Sequence, residues 1–453
     1  MIKRLKNVYH FLLSFVGAVL YRHPSKDIFV LGITGTKGKT TVIELINAGL
    51  EEADKKTAVI SSIRVKIGDR DMSNTGNSMP GRFALQRFLR QAVKAGCRYA
   101  IVEVTSEGVV QHRHRQINFD AGVFINLHPE HIESHGSFEK YRKAKTDFFK
   151  YIANFELRNG SSVIPHSMRD QDGSPIKSGM TGLGSNKKYF FINKDDTHAS
   201  YFIAAARDGN KIIFSKSELK SGLEGEFNKW NIGAAEAVLK ELGVSGEDIK
   251  NAFNDFSGVP GRMEFIQREP FAVVVDYAHT PESLRQVYKT LRSANSKSET
   301  LNPKQTQNPK PKTQNPERKL ICVLGSAGGG VKQSKLKIGS VGSRDKWKRP
   351  KFGEIAAEYC GEIILTNEDP WDEDPSQILS EIKSGISNSE FPISNVHEIL
   401  DRKEAIKKAI GLAQLGDTVI LTGKGSEKFI RVANGKKIPW SDKDVVKEIL
   451  GEL

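Results

Sequence analysis

Cysteine is scarce in this chain. Three among 453 residues, Cys97, Cys322 and Cys360, are too far apart for a zinc site, and their odd number argues against a disulfide framework. A reducing, cytoplasmic setting fits that usage. A membrane-spanning run is also missing, since the apolar stretch at 8–21 is too short to cross a bilayer as a helix. Lys3, Arg4 and Lys6 precede that stretch in the manner of a signal peptide, but no small-residue cleavage site follows it. Two settings stay open for it: a helix docked on the protein itself, or one lying on the inner membrane surface. Acidic residues are outnumbered, 54 against 68 Lys and Arg, for a net charge of +14, so an anionic partner is expected. The basic excess gathers at 296–319 and 332–349, where Trp347 is the lone aromatic. With no recognisable nucleic-acid module either, nucleic acid is not the expected partner.

What is present is a globular composition, 38% hydrophobic and 27% charged, in a chain long enough for two or three domains. From residue 27 onward, β-rich runs alternate with helical stretches. Residues 28–33, 57–63, 99–105 and 121–127 read as strands, and 40–53, 83–95 and 138–151 as helices. This rhythm predicts an α/β fold with a mainly parallel, doubly wound sheet. Near residues 189–215 two apolar runs flank Asp208-Gly209-Asn210, which predicts a hairpin. A second rhythm, with strands at 272–276, 320–325, 362–366 and 418–422, predicts a Rossmann-like α/β domain. The expected division is an apolar helix at 1–26, an ATP-binding domain at 27–259 and a C-terminal domain at 260–453. Insertions are expected at 293–318, rich in Lys, Pro, Asn and Gln and read as disordered, and at 331–343.

The sharpest local pattern is Gly35-Thr36-Lys37-Gly38-Lys39-Thr40-Thr41, which follows a buried strand and opens a helix. Such a loop turns backbone N–H groups onto phosphate oxygens at a helix N-terminus. In a phosphate loop of this kind Lys39 would reach the β- and γ-phosphates and the Thr40 hydroxyl would ligate Mg²⁺. Ile33 stands where the general motif has glycine, so that general form is not fully met.

The shortened form resembles that of the Mur ligase family, and the likeness continues in order downstream. It takes in Glu103-Val104-Thr105-Ser106 with Gln111 and Arg113, and Asn126-Leu127-His128-Pro129-Glu130-His131 with His135-Gly136, Tyr141 and Lys145. Asn228 to Asn231, Gly261-Arg262-Met263-Glu264, Asp276-Tyr277-Ala278-His279-Thr280-Pro281, Arg344-Asp345 to Pro350, and Gly423-Lys424-Gly425-Ser426-Glu427 complete it. Two of these stretches point to the muramyl-tripeptide synthetase branch. The pattern departs at Ser426 and Glu107, where histidines are usual, and in the expected absence of an N-terminal uridine-binding domain.

The resemblance implies an ATP-dependent acid–amino-acid ligase that activates a D-glutamate carboxylate of a muramoyl-dipeptide as an acyl phosphate, then lets a free diamino acid displace phosphate. It implies Lys39, Glu103, His131 and Lys145 as catalytic residues, with two Mg²⁺ ions held by Thr40, Glu103, His131 and a carbamylated Lys145. Asn231, Arg262 and Asp276 would contact ATP, with the domains closing over it. Thr105, Gln111, Arg113 and, less clearly, the stretch from Asn77 to Gly81 would hold the muramoyl peptide. Arg344, Gly423 and Glu427 would receive the incoming amino acid. Where diaminopimelate users carry an arginine, Glu368-Asp369-Pro370-Trp371 and the acids at 372–374 stand here, so lysine or ornithine is expected. Taken singly, Glu103, His131 and Lys145 have plainer readings as a polar strand end, a structural histidine and a solvated helix face. Two alternatives stay open: a related ligase for another carboxylate, such as a folate, polyglutamate or lipid-linked muramyl substrate, and a nucleotide-binding module without catalysis.

Overall fold

The computed structural model describes residues 13–72, 79–130, 132–159, 188–297, 318–329, 345–391 and 395–452. The chain separates into two compact units. The first is Met1–Pro129, Ser137–Leu223 and Phe227–Ser257, and the second is Glu130–Gly136, Glu224–Glu226 and Gly258–Leu453. Of the expected features, His131, Arg344, Asn77, Ser78, the 331–343 insertion and most of the 293–318 insertion lie outside the described residues.

Among the described residues, unit one is built on eight strands: β1 (Phe29–Thr34), β2 (Thr57–Ile60), β3 (Val65–Ile67), β4 (Arg70–Met72), β5 (Tyr99–Glu103), β6 (Ala121–Phe124), β7 (Tyr189–Asn193) and β8 (Asn210–Phe214). Its helices are α1 (13–20), α2 (Lys39–Glu52), α3 (Arg82–Lys94), α4 (Ser106–Val110), α6 (Phe138–Asn159), α7 (Ala199–Ala205), α8 (Asn228–Glu241) and α9 (Gly246–Asn254), while α5 (Ile132–His135) clusters with unit two. The sheet order is β4-β3-β2-β5-β1-β6-β7-β8, parallel from β2 to β8 with β3 and β4 as an antiparallel edge. Because alternate residues of a strand face opposite ways, β1 sends Val30 into one core and Phe29, Leu31 and Ile33 into the other. Both faces are therefore covered, as a doubly wound sheet requires. The chain leaves β1 towards β2 and later returns to β6 on the other side, so the β1 carboxyl end is a switch point where such sheets bind ligands.

The hairpin expected around Asp208-Gly209-Asn210 does not form. Strands β7 and β8 pair in parallel, from Tyr189 with Asn210 to Asn193 with Phe214, and α7 is the crossover between them. Phe202 and Ala205 of α7 are buried in the core, so the apolar residues before the turn are divided between a strand, β7, and a helix, α7. A parallel pair needs such a crossover, and the Asp-Gly-Asn turn merely ends it.

Unit two carries β9 (Glu264–Gln267), β10 (Ala272–Val275), β11 (Leu320–Leu324), β12 (Glu362–Leu365), β13 (Val396–Glu398) and β14 (Thr418–Leu421) in the order β13-β12-β11-β14-β10-β9. All neighbours are parallel except β9 with β10. Helices α10 (Pro281–Lys297), α11 (Lys348–Tyr359), α12 (Pro375–Ser387), α13 (Arg402–Leu412) and α14 (Asp442–Glu452) complete it, with a small ribbon of β15 (Phe429–Arg431) and β16 (Lys437–Pro439). Apolar clusters again lie on both sheet faces.

Candidate active site

In unit one the site begins where β1 stops. Gly38, at φ 81°, caps α2 in a left-handed conformation, and a β-carbon there would sit 2.1 Å from the Asn231 Oδ1. Glycine is thus required both by the backbone and by the close approach of α8. Asn126, at the end of β6, clips the loop: its Oδ1 accepts from the Thr36 and Lys37 amides at 3.0 and 2.9 Å, and its Nδ2 donates to the Lys37 carbonyl at 3.2 Å. Thr36 is held by hydrogen bonds to the Tyr141 hydroxyl at 3.0 Å and the His128 amide at 3.0 Å. The first turn of α2 holds no acidic residue, so the helix end stays favourable to an anion.

Two lysines approach this loop. Lys39 curls back so that its ammonium donates to the Gly35 and Thr36 carbonyls, each at 3.1 Å, with the Glu103 carboxylate 3.9 Å away. Lys145, buried on α6, donates to the Gly35 carbonyl at 2.8 Å and to the Thr34 hydroxyl at 3.5 Å. Glu103 ends β5, the strand beside β1, and is buried; it accepts from the Ser62 amide at 2.7 Å, and the Ser62 hydroxyl lies 3.1 Å from that of Thr40. Hydroxyl and carboxylate oxygens are the donors Mg²⁺ prefers. Thr40 and Glu103 therefore fit one such ion beside a bound nucleotide. No group of three or more His, Cys, Asp or Glu suited to a metal is found among the described residues. Gly35 through Thr41, Glu103, Lys145 and Asn231 thus converge on one strand end.

Thr105, Gln111 and Arg113 follow on the same side. Thr105 caps α4, accepting from the Gly108 amide at 3.1 Å, and Gln111 Oε1 accepts from Arg113 Nε at 3.1 Å and Nη2 at 2.8 Å. Arg113 also donates to the carbonyl of buried Met79, which ties the α4 end to the stretch preceding α3.

In unit two, Asp276 follows β10 and organises backbone. Its carboxylate accepts from the Met263 amide at 2.7 Å and the Ala278 amide at 2.6 Å, fixing the Gly261–Met263 turn, where Met263 has φ 47°. The Arg262 guanidinium lies over the Tyr277 ring, 4.3 Å from its centroid. Glu368 and Asp369 follow β12, and Glu368 faces Gly423, which follows β14 at φ 99°; a β-carbon on Gly423 would meet the Glu368 carboxylate at 2.3 Å. Burial, then the Asp369 carboxylate, raises the Glu368 pKa to about 7, against the opposing pull of Lys424, Arg402 and Lys348.

The acids near Trp371 do not form the repelling cluster expected of them. Asp369 accepts from Lys424 at 2.8 Å and from the Arg431 guanidinium at 2.9 Å, and Glu427 accepts from the same two cations. Glu373 binds Arg349 at 3.1 Å and Lys346 at 2.8 Å, Asp372 holds the Asn434 amide, and Asp374 caps α12. A guanidinium moreover stands at the indole, with Arg431 5.8 Å from the Trp371 ring centroid. The charge argument for a lysine or ornithine substrate is therefore weakened: Asp369, Glu373 and Glu427 are paired with cations, and Asp372 and Asp374 accept backbone amides. Asn126, Tyr141, Ser62 and Arg431 were not singled out as site residues by their types. Asn126 and Tyr141 lay within the matching stretches, whereas nothing local marked Ser62 or Arg431.

Residues 33–239 match the Mur ligase middle domain, and residues 261–301 and 311–425 match the Mur ligase glutamate ligase domain. The chain is 32% identical over 430 residues to a UDP-N-acetylmuramoyl-L-alanyl-D-glutamate--2,6-diaminopimelate ligase of Aquifex aeolicus, covering 94% of this chain and 78% of that one. It is 31% identical over 460 residues to a UDP-N-acetylmuramyl-tripeptide synthetase of Roseiflexus sp., covering 97% and 81%. Among solved structures, a UDP-N-acetylmuramoyl-L-alanyl-D-glutamate--2,6-diaminopimelate ligase aligns with TM-score 0.53 at 26% identity, over 94% of this chain and 78% of that chain. A Yersinia pestis folylpolyglutamate synthase/dihydrofolate synthase, complexed with AMPPNP and a Mn ion, shares the fold at TM-score 0.61 and 15% identity, over 91% and 90%.

Proposed function

The chain belongs to the Mur ligase family of ATP- and magnesium-dependent ligases, and from that premise we propose that it joins the D-glutamate carboxylate of UDP-N-acetylmuramoyl-L-alanyl-D-glutamate to a diamino acid in peptidoglycan synthesis. The observation that carries this reading is the convergence of Lys39, Thr40, Glu103 and Lys145 on the glycine loop after β1. Phosphoryl transfer to a carboxylate demands mostly positioning and charge neutralisation. Lys39 takes the β- and γ-phosphates, and the loop amides, fixed in place by Asn126, cradle them. Thr40 and Glu103 would hold Mg²⁺, which would supply neutralisation of phosphate charge. We assign a second ion to His131 and a carbamylated Lys145, since a carbamate makes an anionic oxygen ligand of a cation. Arg262 and Asp276 are assigned to ATP. Thr105, Gln111 and Arg113 are assigned to the muramoyl peptide.

For the incoming amino acid, Arg344, Gly423 and Glu427 are assigned to its α-carboxylate and α-amino ends. With Asp369 and Glu373 already paired to cations, we take diaminopimelate, the substrate in the relatives' names, as the proposed amino acid, with Trp371, Glu368 and Asp369 lining its far end. The substrates place the enzyme in the cytoplasm, and contact with the inner membrane surface is a separate matter of the N-terminal helix. The folate ligases share the fold at an identity that speaks for the fold alone, so no second substrate is favoured. The test is ADP release with the muramoyl dipeptide and L-lysine and meso-diaminopimelate at equal concentration. Release that needs the dipeptide, with diaminopimelate in the product, is expected. Release independent of the dipeptide would overturn the function, and a clear preference for lysine would overturn the amino-acid assignment.

A further inference from the structure

Unit one carries a helix whose exposed face the ligation chemistry does not use. Helix α1 docks through its small residues. Ser14 is buried and donates to the His112 carbonyl at 3.0 Å; Ala18 is buried, and Gly17 lies against Phe83 and Gln86 of α3, where even a β-carbon would find atoms at 3.6 Å. Its end is fastened by Arg90 of α3, which donates to the Tyr21 carbonyl at 2.9 Å and the Arg22 carbonyl at 2.8 Å. The bulky residues point the other way. Phe15, Val16, Val19 and Leu20 are 49%, 50%, 51% and 64% exposed. Their spacing places them on one stripe.

This inverts the usual surface helix, which buries its large apolar residues and shows polar ones to water. A contiguous apolar stripe held outward by a fixed docking face marks an interaction site. The charge around it selects the partner. No Asp or Glu occurs before Asp27, while Lys3, Arg4 and Lys6 precede the apolar run and Arg22 and Lys26 follow it. Arg22 and Lys26 are exposed. A symmetric second copy would bring these like-charged flanks together across a two-fold axis. An anionic bilayer instead accepts the apolar stripe among its acyl chains and the flanking cations at its headgroups.

We propose that α1 is an in-plane membrane anchor, which seats Phe15, Val16, Val19 and Leu20 in an anionic phospholipid surface and holds the ligase there reversibly. The proposal is independent of the ligase reading. It is tested with the intact chain by co-sedimentation with vesicles of equal parts phosphatidylglycerol and phosphatidylcholine, and with phosphatidylcholine alone. Binding to the anionic vesicles, weakened by salt and by the neutral lipid, is expected. The double variant Phe15→Ser, Leu20→Ser alters exposed positions and should partition at least about tenfold less, with ADP release in solution unchanged. Failure of the parent to bind anionic vesicles, or equal binding by the variant, overturns the proposal. So does a parent that is dimeric without lipid and becomes monomeric on this substitution, since a second copy would then own the stripe.

Discussion

Lysines follow strand ends in both units, and they are treated oppositely. In unit one, Lys39 rests on two neutral backbone carbonyls at 3.1 Å, with its nearest carboxylate, Glu103, at 3.9 Å. In unit two, Lys424 is fully buried between Asp369 at 2.8 Å and Glu427 at 2.7 Å. A charge balanced mainly by carbonyl dipoles can still be offered to an incoming anion, whereas one enclosed by two carboxylates is committed to architecture. The comparison contrasts a lysine left available to an anion in unit one with one locked into a buried charge network in unit two.

Substitutions can break that contrast. Lys39→Ala should cost the most, about a thousandfold or more in turnover, with an unchanged melting curve; turnover within a few-fold of the parent would erase the distinction. Lys145→Ala should come next, at about a hundredfold by the same electrostatic reasoning. Short carboxylates added to the assay should partly restore it by occupying the place of the carbamate, and full activity without them would remove Lys145 from the site. In unit two the effect should move from rate to stability. Asp369→Asn leaves Lys424 and Arg431 short of one carboxylate and should cost about 3 kcal/mol in urea unfolding, against no measurable change if the network were only peripheral.

The gentlest probe is pH. The Glu368 pKa is raised in the fold, to about 7, so the folded state binds its proton more tightly than the unfolded chain. The stability it contributes is complete below the ordinary carboxylate range and is lost as pH rises through about 7. Unfolding free energy should fall by about 2 kcal/mol between pH 5 and pH 8 from this group, and Glu368→Gln should flatten that slope. An unchanged slope in the variant would assign it elsewhere.

The same contrast explains what could be read in the chain. The phosphate loop was legible because its parts are contiguous: a β-rich run, Gly35 to Lys39, and a helix. The parallel sheets were legible because their central strands are short apolar runs separated by helices. Asp208-Gly209-Asn210 misled because a turn dipeptide marks a break without saying whether a hairpin or a crossover precedes it. The loop's supports were less legible, since Asn126 and Tyr141 reach Thr36 across 90 and 105 positions. The neutralised acids hid for the same reason, as Arg431 meets Asp369 across 62 positions. In α1 an apolar run was plain, but which face it would bury depends on α3.

The proposed reaction activates a carboxylate by phosphoryl transfer before the amine attacks. Supplying the muramoyl dipeptide with its glutamate side-chain carboxylate labelled with oxygen-18, and following the label by mass spectrometry, tests it most directly. Each turnover should deliver labelled oxygen from that carboxylate to the released inorganic phosphate, in step with amide formation. Unlabelled phosphate accompanying labelled amide product would contradict it.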